Sequence, residues 1–227
     1  HVADSTYGIA VAYDMLYHCF SNSERAEIER AMAEHGVYML YHKLSRAREG
    51  YVAMNQGVLF GLPLLMITAF LKDSDSVYKQ IHEWTLEFLK EFGTRPWNHE
   101  GVCGEGPGYG MGTVWEYIEA LPPIAACEER SISEMVPDAM SGLMDYFQHV
   151  RSTWAEKPHF LGWSDGSATN WVFPEVLAFF ANYSADPVAQ FFYNESYADH
   201  PSASPTMLLI LGDPIEEAEP ELPPARI

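Results

Sequence analysis

The segment Trp97-Asn98-His99-Glu100-Gly101-Val102-Cys103-Gly104-Glu105-Gly106-Pro107-Gly108-Tyr109-Gly110 concentrates polar, aromatic and glycine residues. Its glycines allow unusual backbone angles and let a ligand approach the main chain closely. It is not a phosphate loop, because no Lys-Ser/Thr follows and no strand precedes. The plain alternative is a connection between helices, with glycine for turns and Tyr109 as the first core residue of the next helix. Asn55-Gln56 opens a long apolar run, and an Asn there is read most simply as a helix N-cap, or as cap and ligand together. Arg46, Arg48 and Arg95 could bind carboxylates, since a guanidinium suits bidentate recognition; each could equally be a surface charge. Trp97 and Trp163 could stack on sugar rings or anchor a core. His99 shares the loop with Tyr109, while His18, His35 and His42 fall on helices, where packing or surface roles are the default.

The elements that must position these residues are helical nearly throughout. Ile9, Ala12, Tyr13, Leu16 and Phe20 recur at helical spacing. Ser21-Asn22-Ser23-Glu24 has the pattern of a capping box and opens a second helix expected to run to about Arg48. Residues 56–71 form a third, apolar on most faces and therefore internal. Asp73 to Ser76 is a polar break, after which Val77, Ile81, Trp84, Leu86 and Leu89 mark a fourth helix. A long loop, 93–108, precedes a fifth from about Tyr109 to Cys127. Ser131-Ile132-Ser133-Glu134 is a second capping box, opening a sixth helix expected to end near Arg151. A second long loop, 152–168, leads to shorter helices around 171–182 and 186–193, the apolar segment Met207 to Leu211, and an acidic, Pro-rich tail.

The predicted class is all-α, with a hairpin about every forty residues, a spacing in the range of helical repeats. An incomplete α/α toroid, with long loops gathered at one mouth, fits this pattern. Long loops in compact domains are usually functional. The expected division is a toroid over 1–212 and a linker over 213–227.

Composition bounds the partners. The chain has 227 residues, 48% hydrophobic and 20% charged, an ordinary globular balance. Its formal charge of −19 argues against nucleic acid, which needs a basic face. It leaves room for a uronate polymer, because a local cluster of Arg and His can bind carboxylates within an acidic protein. The longest apolar stretch, Val58 to Leu71, is too short and too interrupted by Gly61 and Pro63 to span a bilayer. Cys19, Cys103 and Cys127 show no paired spacing, so neither a zinc knuckle nor a disulfide framework is indicated. Neither a metal nor any other cofactor is expected among these residues.

Four stretches together resemble the heparinase II/III-like polysaccharide lyases, a superfamily that includes alginate and oligoalginate lyases. Tyr13-Asp14-Met15-Leu16-Tyr17 followed by Ser23-Glu24-Arg25 is similar to the family's first helical hairpin. Asn55-Gln56 stands where the family has an Asn-rich segment before a buried helix. Glu105-Gly106-Pro107-Gly108-Tyr109 resembles its most recognisable motif, about fifty residues later, as in those enzymes. Gly162-Trp163-Ser164-Asp165-Gly166-Ser167 resembles its later Gly-Asp-Ser loop.

The resemblance implies β-elimination at a uronic acid. Asn55 would neutralise the substrate carboxylate and Tyr109 would act as acid, or as acid and base. Gln56, Arg46, Arg95, Trp97, His99, Glu105 and Trp163 would contact the acidic polysaccharide. Some members carry His directly after the Asn, where this chain has Gln56. The base is then Tyr109 or a His from the β-sandwich domain that follows the toroid in this family. That domain is expected in the parent protein and absent from this chain. A secreted or periplasmic location follows from the substrate class. Two other readings stand beside the lyase. One is an inverting glycoside hydrolase on a similar toroid, pairing Glu100 or Glu105 with Asp165. The other is a non-catalytic helical-repeat scaffold that binds protein partners.

Overall fold

Helical periodicity governs the structure as it governs the sequence. The computed structural model describes residues 2–98, 100–152, 159–160 and 174–197. The chain divides into two units, His1–Phe92 and Gly93–Ile227. His99, Trp163, Asp165, Met207 to Leu211 and the tail 213–227 lie outside the described residues.

The first unit contains α1 (Val2–Leu16), α2 (Asn22–Ala31), a π-helical turn (Met32–Val37), α3 (Tyr38–Arg46), α4 (Arg48–Tyr51), α5 (Gln56–Leu71) and α6 (Ser76–Phe92). Its centre is α5. This helix is apolar all round, as a core helix must be, and it buries Val58, Leu62, Leu64, Leu65, Ile67 and Leu71 against α1, α3 and α6. Gly61 allows the close approach of α6, because a Cβ there would lie 2.8 Å from Leu89 Cδ2. Deep in this core His82 Nδ1 lies 3.1 Å from Thr68 Oγ1.

The Ser21 capping box forms as read: Ser21 Oγ accepts from Glu24 N at 3.3 Å, and Glu24 Oε2 accepts from Ser21 N at 2.8 Å. One expectation in this unit is corrected. The buried face of α1 is Ala3, Thr6, Ala10 and Tyr13, whereas Ile9 is 51% exposed and Leu16 is exposed too. The small residues let α1 lie close to α5. Tyr13, edge-on to Phe70 at 4.9 Å and donating to Glu29 Oε1 at 2.6 Å, fixes the rotation of the helix. Ile9 instead lines an open groove of about 580 Å³ with Val2, Ile28, Met32 and His35. The second helix, expected to run to about Arg48, does run continuously from Asn22 to Arg46. It widens into a π turn at Met32–Val37, where Gly36 meets Ile67 of α5, and stops at Ala47 (φ −120°).

The second unit holds α7 (Gly106–Glu128), α8 (Ile132–Met135), α9 (Leu143–His149), β1 (Arg151–Ser152), β2 (His159–Phe160), α10 (Pro174–Ser184) and α11 (Pro187–Tyr197). Buried Val114, Tyr117, Ile118, Leu121 and Ile124 of α7 supply much of its core, and α10 packs on α7, α8 and α11. The capping box at Ser131 also forms, with Ser131 Oγ 3.4 Å from Glu134 N. The single helix expected from Ser131 to Arg151 is replaced by α8, a 3₁₀ turn and α9. Pro137 accounts for the break: it drives Val136 out of the helical region, to ψ 119°.

The strands β1 and β2 pair antiparallel, Arg151 with Phe160 and Ser152 with His159, inside the loop read as irregular. The class is nevertheless all-α, with helices forming most of the described chain. No described helix is long and apolar enough to cross a membrane.

Candidate functional site

Asn55 belongs to the first unit and Tyr109 to the second, and each is positioned by local rules of its own chain segment. Asn55 ends the turn after α4. Gly57 N donates to Met54 O at 2.8 Å and Leu59 N to Asn55 O at 3.1 Å. Only glycine fits at 57, since a Cβ would lie 2.0 Å from Tyr51 O and 2.8 Å from the Phe92 ring. This pinches the chain and fixes the two residues before it.

The N-cap reading of Asn55 holds for its place but not for its side chain. Its backbone is already helical (φ −53°, ψ −32°) and its amide makes no capping bond. Side-chain capping requires an extended backbone at that residue, as Ser21 and Ser131 have. Asn55 is half-buried, and so is Gln56, whose Oε1 is enclosed and accepts no hydrogen bond among the described residues. A desolvated acceptor of this kind costs about 1–3 kcal/mol until a donor meets it.

The loop before α7 is ordered by short-range bonds. Asn98 Oδ1 accepts from Glu100 N at 2.9 Å and from Val102 N at 3.0 Å, as Asn does when it imitates a backbone turn. Trp97 and Cys103 pair as an antiparallel bridge. Gly101 (φ +76°) packs backbone to backbone on Gly142, where a Cβ would lie 2.5 Å from the Gly142 carbonyl carbon. Gly106 (φ +85°) turns the chain into α7, with Pro107 at the helix start, where its missing N–H is not needed.

The motif expected to lie in a loop is therefore the first turn of α7. Gly106, Pro107, Gly110 and Met111 are buried, and Tyr109 between them is 41% exposed. Its carbonyl accepts from Thr113 Oγ1 at 2.9 Å. Glu105, at the N-cap, makes no capping bond with its side chain. Burial pushes the nearby Cys103 thiol up, and the Glu105 carboxylate adds to the effect.

The remaining expected contacts divide clearly. Trp97 is 4% exposed, donates from Nε1 to Gly93 O at 3.1 Å and lies edge-on to Tyr117 at 6.1 Å. It anchors the core of its unit, and its ring has no face to offer a sugar. Arg46 and Arg95 are exposed, with Arg46 Nη1 3.4 Å from His42 Nε2. Arg48 is taken by an ion pair with Glu91.

The structure also assembles a group the sequence did not suggest. Glu100, Val102, Ser141, Gly142, Asp145, Tyr146 and His149 line a cavity of about 590 Å³ in the second unit. His149 Nδ1 lies 2.6 Å from the Asp145 carbonyl oxygen, and burial pushes the Tyr146 hydroxyl up to about 12. The spacing of Asp145 and His149 does signal a shared helix face. Their meeting with Glu100 depends on the Gly101–Gly142 contact, which leaves no local trace in the sequence. Among the described residues, no three or more His, Cys, Asp and Glu side chains are grouped to hold a metal. No family model, curated protein or solved structure matches the chain.

Proposed function

We propose that this chain is the helical catalytic part of a polysaccharide lyase that cleaves uronic-acid polymers by β-elimination. Its helical hairpins are, on this reading, part of an α/α toroid. The observation that carries the proposal is Tyr109, an exposed phenol held on the first turn of α7 between buried neighbours. Asn55, half-buried at the entry to α5, is the second residue the proposal uses.

The reaction sets the roles. The C5 proton of a uronate is too weakly acidic while the carboxylate beside it is fully charged. The Asn55 amide donates to that carboxylate and stabilises the enolate that develops, as preorganised donors do. A base removes the C5 proton, the electron pair forms the C4–C5 double bond, and the C4–O bond breaks. Tyr109 protonates the departing oxygen and also serves as base where the geometry allows. An ordinary Tyr, with a pKa of about 10, needs cationic neighbours for base duty. His99 is the nearest candidate in sequence for that environment. Arg46 and Arg95 pair with uronate carboxylates, and Gln56, Glu105 and Trp163 complete the contacts. A polymer of this kind is met outside the cytoplasm, so the location proposed is secreted or periplasmic.

Incubation of the chain with uronate polymers tests the reading. Elimination produces an absorbance near the ultraviolet edge from the new double bond; reducing ends without that absorbance rule it out. One observation favours inverting hydrolysis as a second reading: Glu100 shares its cavity with Asp145, a second carboxylate. Hydrolysis would yield those reducing ends alone, and Asp145→Asn would abolish them.

A further inference from the structure

The exposed face of α3 carries a feature that neither Asn55 nor Tyr109 explains. Tyr38, His42 and Arg46 stand four residues apart, so they form one line along the helix. Tyr38 is 67% exposed, and His42 and Arg46 are exposed as well. The Tyr38 and His42 rings lie 5.7 Å apart at an interplanar angle of 23°, and Arg46 Nη1 follows 3.4 Å from His42 Nε2. Lys43 stands beside the line with Nζ 5.1 Å above the Phe60 ring.

The charge of this strip opposes that of the molecule. The chain has 32 acidic and 13 basic residues, yet residues 38–46 contain no Asp or Glu. The nearest acids along the chain are engaged elsewhere, Glu34 with Arg30 at 3.3 Å and Glu49 with Arg48 at 3.4 Å. Arg46 has no carboxylate partner among the described residues. A guanidinium and an ammonium attract an anion, and the exposed Tyr38 ring offers a flat, partly apolar platform with a polar tip.

We infer that the Tyr38–His42–Arg46 line is a binding strip for an anionic oligosaccharide. One sugar ring rests on Tyr38, a hydroxyl meets His42, and a carboxylate pairs with Arg46. Eight residues of helix span about 12 Å, more than one sugar ring, so the ligand is a chain of at least two residues. Its class, a uronate oligomer, rests on the lyase reading. Arg46 was legible as a carboxylate binder in the sequence; Tyr38 and His42 enter through the helix face they share with it.

The test uses the full chain carrying Tyr109→Phe, so that the probe is not consumed, with calorimetric titration of alginate and galacturonate hexasaccharides. Adding Tyr38→Ala or Arg46→Gln should weaken binding about tenfold, and Arg46→Lys should lose part of that, because it keeps the charge without the fork. A neutral cello-oligosaccharide should not bind, and oligo-glutamate should not compete. Both side chains are exposed, so circular dichroism should show every variant folded. Unchanged affinity in the variants, equal competition by oligo-glutamate, or no uronate binding at all would overturn the strip. The absorbance assay on the unmodified chain judges the lyase reading separately. Elimination with unaltered binding in the strip variants sinks the strip alone; variant-sensitive binding without elimination sinks the lyase alone.

Discussion

Tyr109 and Asn55 share a proposed reaction but differ in what their removal should cost the fold. Tyr109→Phe keeps the ring and the exposed position, so folding should be unaffected while elimination falls by orders of magnitude; unchanged turnover would end its assigned role. Asn55→Ala should also impair turnover. Because the Asn55 amide makes no capping bond, any stability this variant loses in urea unfolding comes from another contact of the side chain rather than from a cap. At this scale the sequence placed Tyr109 near the start of a helix, and it lies on the first turn of α7. Where burial decides, the sequence left two roles open for Trp97, and the structure puts it in the core, edge-on to Tyr117. Nor does an Asn at a helix start disclose that its own backbone is already helical.

The elements carry their own predictions. Ser21→Ala removes a capping bond that does form and should destabilise the first unit by about 1 kcal/mol. The Ser21 hydrogen bonds hold the Glu24 carboxyl below its usual range. The box's contribution is therefore present above the ordinary carboxylate pKa and is lost as pH falls through the lowered one. Gly101→Ala places a Cβ against the Gly142 backbone at positive φ, and should cost more than about 1 kcal/mol in urea unfolding while disordering the cavity at Glu100. Both capping boxes were legible because all their bonds are local. The break at Pro137 was missed, because the apolar spacing on either side concealed what the proline signals. The Gly101–Gly142 contact was not legible, since residues 41 apart meet through backbone alone.

Across the whole molecule, pH should act through buried His82 as well as through the carboxylates. Burial, with Lys72 adding to it, lowers the His82 pKa, partly offset by a bond to the Leu65 backbone and by Glu83. The unfolded chain then takes up the proton first, so stability is full above the ordinary His range and declines as pH falls through it. Unfolding at about pH 7.5 and about pH 5.5 should show a smaller loss for His82→Gln than for the unmodified chain. All-α class was legible at this scale because helical spacing persists through both units. The division at Phe92 was not, since it depends on which helices pack together. The central claim remains the elimination reaction, and one assay reaches it directly. Mixed with a panel of uronate polymers, the chain should raise the ultraviolet absorbance of an unsaturated uronate on at least one, and Tyr109→Phe should abolish that rise. Depolymerisation of a uronate with no such absorbance would contradict the account.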